Sequence, residues 1–338
     1  MLTYGPLHSD IDLESDGRRV GRLWLDHSDN ENALALIPIP IAVLRNGSGP
    51  TVLVTAAVHG DEYEGQAALR RLIHEIGPED LRGRLIVLPA VNAPAALAGA
   101  RVSPLDGGNL NRAFPGAEDG GPTKAIAGFL LRHILPHCDC VLDLHSGGKA
   151  SRYVDLAYLT IAPDRRMQQT LVAMAEAFAA PFTLLAASSD TPTAFDQAAH
   201  QAGVPLLSTE LGGGGEISPA SLTMACAGLR RVLHWAGLLR SAPAARQPTR
   251  FVGPAGSALL APRRGLYAPL RELGSEVLAG EPAGHLLDFD EPERPPEPLT
   301  FPGAGVLIMK RVPTPCAAGS ILHQVACPAS REEALALP

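Results

Sequence analysis

Two short segments bring together residue types that hold a metal. His59-Gly60-Asp61-Glu62 follows an apolar run containing Val52, Val54 and Val58, and Asp143-Leu144-His145 closes another. Two imidazoles and a carboxylate, each delivered by a strand end, form the donor set of a catalytic zinc ion whose fourth position takes water. The chemistry implied is hydrolysis by a metal-activated water. The H-x-x-E spacing suits a turn, where both side chains can face one point, whereas two ligands on a helix would stand four residues apart. The donor types suit zinc and leave manganese and cobalt open. The plainer reading makes His59 a loop histidine and Glu62 a solvated carboxylate favoured by a helix start. Asp61 and Glu64 read as solvated charges there.

Strands must carry these side chains. Apolar runs at 51–58, 84–91, 139–145, 154–161 and 204–211 predict strands covered on both faces. Between them, Leu69, Leu72, Ile73 and Ile76 form one helical stripe, and Met167, Leu171, Met174 and Phe178 form another. A third helix starts at Ser218-Pro219, a capping residue followed by proline, and is expected to bury Leu222, Cys226, Leu229 and Leu233. This alternation predicts an α/β sandwich with a parallel or mixed sheet. Ligands gather at the carboxyl ends of strands in such sheets, where His59, His145 and Glu210 all fall. Pro40 marks the early strand around Ile39 to Leu44 as an edge or an irregular one. Residues 241–248 read as a linker, and glycine- and proline-punctuated β runs follow it. Two domains are expected, 1–245 and a small all-β one at 250–328, with Glu291 to Pro298 an exposed excursion.

The net charge of −7 argues against nucleic acid, which demands a basic face. No apolar run approaches the ~18 residues of a membrane span. The amino terminus shows no basic region followed by an apolar one, so the expectation is a cytoplasmic protein without a membrane partner. Homo-oligomerisation stays open. Five cysteines, an odd number, do not suggest a disulfide framework, and Cys138 and Cys140 are expected to be buried thiols on one strand.

Further motifs sharpen the picture. Residues 107–116 read G-G-N-L-N-R-A-F-P-G. With H-G-D-E-Y-E-G at 59–65, D-L-H-S-G-G at 143–148 and T-E-L-G-G-G-G at 209–215, the chain resembles the succinylglutamate desuccinylase/aspartoacylase family, a branch of the zinc carboxypeptidase-like superfamily. Within it, the motifs are similar to those of the deacetylases of ectoine breakdown, which act on Nα-acetyl-2,4-diaminobutyrate. The resemblance implies a zinc-carboxypeptidase-like sandwich, its mixed sheet flanked by helices, with a small C-terminal β domain positioned to cover the cleft. It implies one zinc per chain held by His59, Glu62 and His145, and a small N-acyl amino acid as substrate. Asn111 and Arg112 would clamp the substrate's α-carboxylate, Arg101 would polarise the scissile carbonyl, and Glu210 would be the general base. Physical chemistry agrees with each role: arginine pairs two-point with a carboxylate, and a second cation can stabilise an oxyanion. A carboxylate beside the metal can take a proton from water and return it to the leaving amine. Asn109 departs from the commoner pattern, in which an aspartate orients the first zinc histidine.

Rival readings have their own residues. Glu216 is a second candidate base. Gly212 to Gly215 would let a backbone approach a ligand, move as a gate, or form a plain flexible loop. The same constellation could belong to a carboxypeptidase. A non-catalytic reading starts from C-terminal segments resembling half of a biotinyl/lipoyl-like domain, with Lys310 in the place of the modified lysine but without the hairpin context that such a lysine has. No G-x-S-x-G occurs, so Ser146 is expected to hydrogen-bond locally. The remaining nine of 11 histidines read as surface or satisfied side chains. The side-chain pocket is expected within 153–190.

Overall fold

Why the apolar runs become strands is visible in their alternation: Val52 and Val54 face one buried cluster and Leu53 the other, so the sheet is covered on both sides. The structure, a computed structural model, describes residues 1–28, 30, 33–188, 193–244, 247–253 and 256–336. It opens with β1 (Leu2–Tyr4), β2 (Leu7–Ser9), β3 (Gly17–His27) and β4 (Ala35–Asn46). Alternating elements follow: β5 (Thr51–Ala56), α1 (Glu64–Glu75), β6 (Gly83–Leu88), α2 (Ala93–Ala98), α3 (Pro122–Phe129), β7 (Cys140–His145), β8 (Ser151–Tyr153) and β9 (Leu156–Thr160). Next come α4 (Arg165–Phe178), β10 (Phe182–Ala186), α5 (Phe195–Gln201), β11 (Leu206–Glu210), α6 (Pro219–Trp235) and β12 (Arg250–Val252).

The strands form an 11-stranded mixed sheet, ordered β1-β2-β3-β4-β6-β5-β7-β11-β9-β10-β12. Its centre, β6, β5, β7 and β11, is parallel, while β9 runs antiparallel to β11. The half of β4 holding Pro38 and Pro40 has β3 on one side only, because β6 pairs with Ala42 to Asn46. Proline is tolerated there since it owes no ladder hydrogen bond on the open side. Ser218 caps α6 as expected; Leu229 and Leu233 are buried, whereas Leu222 and Cys226 are only partly covered.

The C-terminal region forms two further sheets. One joins β13 (Ser257–Leu260), β15 (Glu276–Val277), β18 (Gly305–Arg311) and β20 (Ile321–Ala326); the other joins β14 (Gly265–Pro269), β16 (Pro282–Leu287), β17 (Glu297–Thr300) and β19 (Pro315–Cys316). The two regions exchange strands: β12 completes the large sheet against β10, and β8 pairs with β18. The final helix, α7 (Arg331–Ala336), returns to α4, where Gln168 donates to the carbonyl of Ala334. Ala245 and Arg246 of the expected linker, and Asp190, lie outside the described residues. Among the described residues no helix is long and apolar enough to cross a membrane. All five cysteines are free; Cys138 precedes β7 rather than lying in it.

Candidate active site

A backbone outlier delivers the first candidate ligand. Ala57, just past β5, has φ +59°, a left-handed conformation that non-glycine residues rarely adopt. The turn is held by Asn92, whose N–H donates to the Ala57 carbonyl at 3.1 Å. Gly60 is needed for close packing. A Cβ there would lie 2.1 Å from the carbonyl carbon of Ala95, so α2 packs directly on it.

His59, Glu62 and His145 are buried, and their candidate ligand atoms lie within 4.8 Å of one another. Glu62 bridges the rings, Oε1 standing 2.8 Å from His59 Nδ1 and Oε2 2.9 Å from His145 Nδ1. The opposite nitrogens meet acceptors: Asn109 Oδ1 lies 3.2 Å from His59 Nε2, and Asp143 Oδ2 lies 2.8 Å from His145 Nε2. In the neutral rings those acceptors favour a proton on each Nε2, which would leave both Nδ1 lone pairs free to ligate a divalent cation beside Glu62. Burial opposes charge on Glu62, but His145 and His59 outweigh it and hold the carboxyl well below the usual range. Burial likewise opposes charge on His145, yet Asp143 and Glu62 raise it well above its ordinary value. The corner is built to favour a cation.

Asp143 was not singled out in the sequence. Its signal is a position two residues before His145, which puts both side chains on one face of β7. Thr55 donates to its other oxygen at 2.6 Å.

Glu210 ends β11 in register with His145. Burial, and then the charge of Glu62, push its carboxyl well above the ordinary range, and its buried Oε2 has no hydrogen-bond partner among the described residues. Arg101 reaches Glu62 Oε1 at 3.3 Å. His59, His145, Arg101, Asn111, Arg112 and Glu210 line one cavity of about 410 Å³. Glu62 touches both rings and is itself buried. Asn111 Oδ1 accepts the N–H of Phe195 at 2.9 Å, which leaves its amide nitrogen as the donor for the cavity. Phe114 stacks on Phe195 with centroids 4.8 Å apart.

Tyr153, Tyr158 and Thr160 supply a further wall, within the stretch expected from sequence, but Asp196 and Gln197 lie beyond it. No motif marks those two; they reach the cavity because Asn111 and Phe114 dock the start of α5. Burial, then Glu210 and Asp196, push the Tyr158 phenol up to about 12, with Arg112 pulling the other way. Every described lining residue falls between 59 and 210, and the C-terminal region touches this wall through Met309, paired with Tyr153.

Several expectations are corrected. Asp61 and Glu64 are buried, not solvated. Asp61 accepts the N–H of Lys149, and Glu64 accepts that of Gly213 at 3.1 Å. Gly212 to Gly215 all have positive φ, and Gly214 and Gly215 donate to the Gly148 carbonyl at 2.7 and 2.8 Å. The tetraglycine is thus a bonded knot joining β11 to the 147–153 segment. Glu216 is exposed, pairs with Arg152 at 2.5 Å and does not line the cavity. Ser146 contacts the site through its backbone, its N–H donating to Glu62 Oε2, whereas its buried hydroxyl has no hydrogen-bond partner among the described residues. Lys310 lies within β18 facing Glu272, not at a hairpin tip. His323 is buried, and among the described residues neither ring nitrogen has a hydrogen-bond partner, unlike the satisfied histidine expected.

A mixed α/β sheet presenting, beside two arginines, a two-histidine, one-carboxylate corner that could hold a metal is the layout of a hydrolase. The chain belongs to the succinylglutamate desuccinylase/aspartoacylase family, whose catalytic domain matches residues 48–236, and with it to a family of N-acyl amino acid deacylases. It is 36% identical over 324 residues, 95% of each chain, to an N-alpha-acetyl-L-2,4-diaminobutyric acid deacetylase of Halomonas elongata. A succinylglutamate desuccinylase from Silicibacter sp. TM1040 superposes with a TM-score of 0.93 at 36% identity, covering 97% of this chain and 100% of that one. The product-bound ectoine utilization protein EutE (DoeB) of Ruegeria pomeroyi gives 0.92 at 37%, covering 96% and 100%.

Proposed function

We propose that the protein is a zinc-dependent amidohydrolase that removes a small acyl group, acetyl by preference, from an Nα-acyl amino acid, Nα-acetyl-2,4-diaminobutyrate in particular. The observation that carries this reading is the convergence of both Nδ1 atoms on Glu62 in a cavity also lined by Glu210, Arg101 and Arg112. The relative from Halomonas elongata supports the choice of acyl group and amino acid.

His59, Glu62 and His145 would hold the zinc, which when bound supplies a Lewis acid that acidifies water and polarises a carbonyl. Arg112, with the Asn111 amide, binds the substrate carboxylate and orients the molecule. Arg101 donates to the acyl oxygen and stabilises the negative charge that develops there. Glu210, at the end of β11 on the cavity wall, accepts a proton from water and passes it to the departing amine. Tyr153 and Tyr158 narrow the cavity and limit the water within it. Two domains, divided near 245–250, complete the reading, with the C-terminal one steadying the Tyr153 wall from outside the cavity.

The test is a deacylation screen over N-acetyl, N-succinyl and N-formyl amino acids, run with the metal-loaded and the chelator-treated enzyme. Release of acetate from Nα-acetyl-diaminobutyrate, lost with chelation and restored by zinc, is expected. Hydrolysis confined to peptide C-termini would instead select the carboxypeptidase reading.

A further inference from the structure

In the reading above, three charged residues of the cavity wall have work to do: Arg112 binds a carboxylate, Arg101 a carbonyl oxygen, and Glu210 a proton. A fourth, Asp196, has none. We infer that Asp196 determines specificity, admitting Nα-acyl amino acids whose side chain carries a positive charge and excluding those with a second carboxylate. The inference rests on the proposed deacylase function.

The placement of Asp196 is fixed from two sides. Its Oδ2 accepts the hydroxyl of Thr160 at the end of β9, and its Oδ1 accepts the N–H of Gln197 at 2.8 Å. Its chain neighbour Phe195 donates its N–H to Asn111 Oδ1. Asp196 and Arg112 therefore each stand one residue from the same hydrogen bond, which locks the separation between the carboxylate-binding arginine and this second acid. Tyr158 feels the charges of Glu210, Asp196 and Arg112 together, so all three surround one space. A carboxylate has lone pairs beyond those two bonds, enough to accept an ammonium as well. At such a position it attracts a cation and repels an anion, and discrimination is the difference between those two effects.

The competing account makes Asp196 an acid that merely tightens the start of α5. The two accounts part when charge on the substrate varies at constant shape. Nα-acetyl-2,4-diaminobutyrate, Nα-acetylnorvaline and Nα-acetylglutamate carry a cationic, a neutral and an anionic side chain of similar length. The wild-type enzyme is expected to follow that order in kcat/KM, with about 10–100-fold between the first two. Asp196→Asn should shrink the cationic-to-neutral ratio by about 10-fold or more, chiefly through KM, and raise the relative rate on Nα-acetylglutamate. Asp196→Glu, which keeps the charge, should retain the preference for the cation. An equal fall on all three substrates, or an Asp196→Glu enzyme indistinguishable from Asp196→Asn, overturns the inference and leaves a structural acid. A wild type that prefers the neutral or anionic compound overturns it while the deacylase reading stands. A wild type that hydrolyses no N-acyl amino acid removes that reading, and the inference with it.

Discussion

Glu62 and Glu64 are two residues apart, both buried, and opposite in character. Glu62 is gripped by two imidazoles and held as an anion well below the usual carboxylate range. Glu64, beneath the tetraglycine knot, has no cation against it among the described residues, and burial pushes its carboxyl upward. The difference teaches that depth alone does not set the charge of a buried acid; its neighbours do. One side of the turn is an electrostatic site, while the other is a backbone clasp that joins α1 to Gly213 and so steadies β8 and β11.

That contrast can be broken in order of expected effect. Glu62→Ala should abolish stoichiometric metal, measured by elemental analysis, and reduce kcat/KM by about 10³-fold or more; retained metal would show that the histidines suffice. Glu210→Gln should keep its metal and fold yet lose about 10²–10⁴-fold in kcat. A fully active variant would assign the base elsewhere. Asp143→Asn should weaken metal affinity about 10–100-fold, whereas Asn109→Asp, which supplies a charge behind His59, should strengthen it in competition with a chelator. The same affinity in both variants would mean that the groups behind the rings do not tune the site. Glu64→Gln keeps an acceptor for the Gly213 N–H, so activity is expected to stay within about threefold. A loss as large as that of Glu62→Ala would erase the distinction between the two sides of the turn.

His323 extends the comparison to the C-terminal region. Where His59 and His145 have both ring nitrogens engaged, His323 lies against Tyr267 and Phe301 with neither bonded among the described residues, and burial lowers it to about 4. Its folded pKa is below the unfolded value of 6.5, so the unfolded chain binds the extra proton between pH 6.5 and 4. The stability linked to its neutral ring is present above pH 6.5 and declines as pH falls toward 4. His323→Phe should flatten that decline in thermal melts; an unchanged acid profile would show that the ring titrates normally.

Much of the site was legible because its side chains stand at strand ends inside distinctive local motifs. H-G-D-E, D-L-H and N-R are contiguous, and alternation alone identifies the strands that carry them. Asp143 was readable in principle from the period of two along β7. Asp196 was not, since its relation to Arg112 depends on a hydrogen bond between residues far apart in the chain, Asn111 and Phe195. Glu64 misled for a similar reason: an acid at the start of a helix looks solvated until the glycine knot closes over it.

The sequence by itself determined the donor types, their strand-end positions and the alternating α/β architecture, because these follow from periodicity and side-chain chemistry within short windows. Only the tertiary structure decided which acids are charged, which glycines are load points for backbone contact, and which residues form the far wall of the cavity. Those properties arise from groups brought together by packing, where burial and a neighbour's charge act across space and leave no local pattern in the chain.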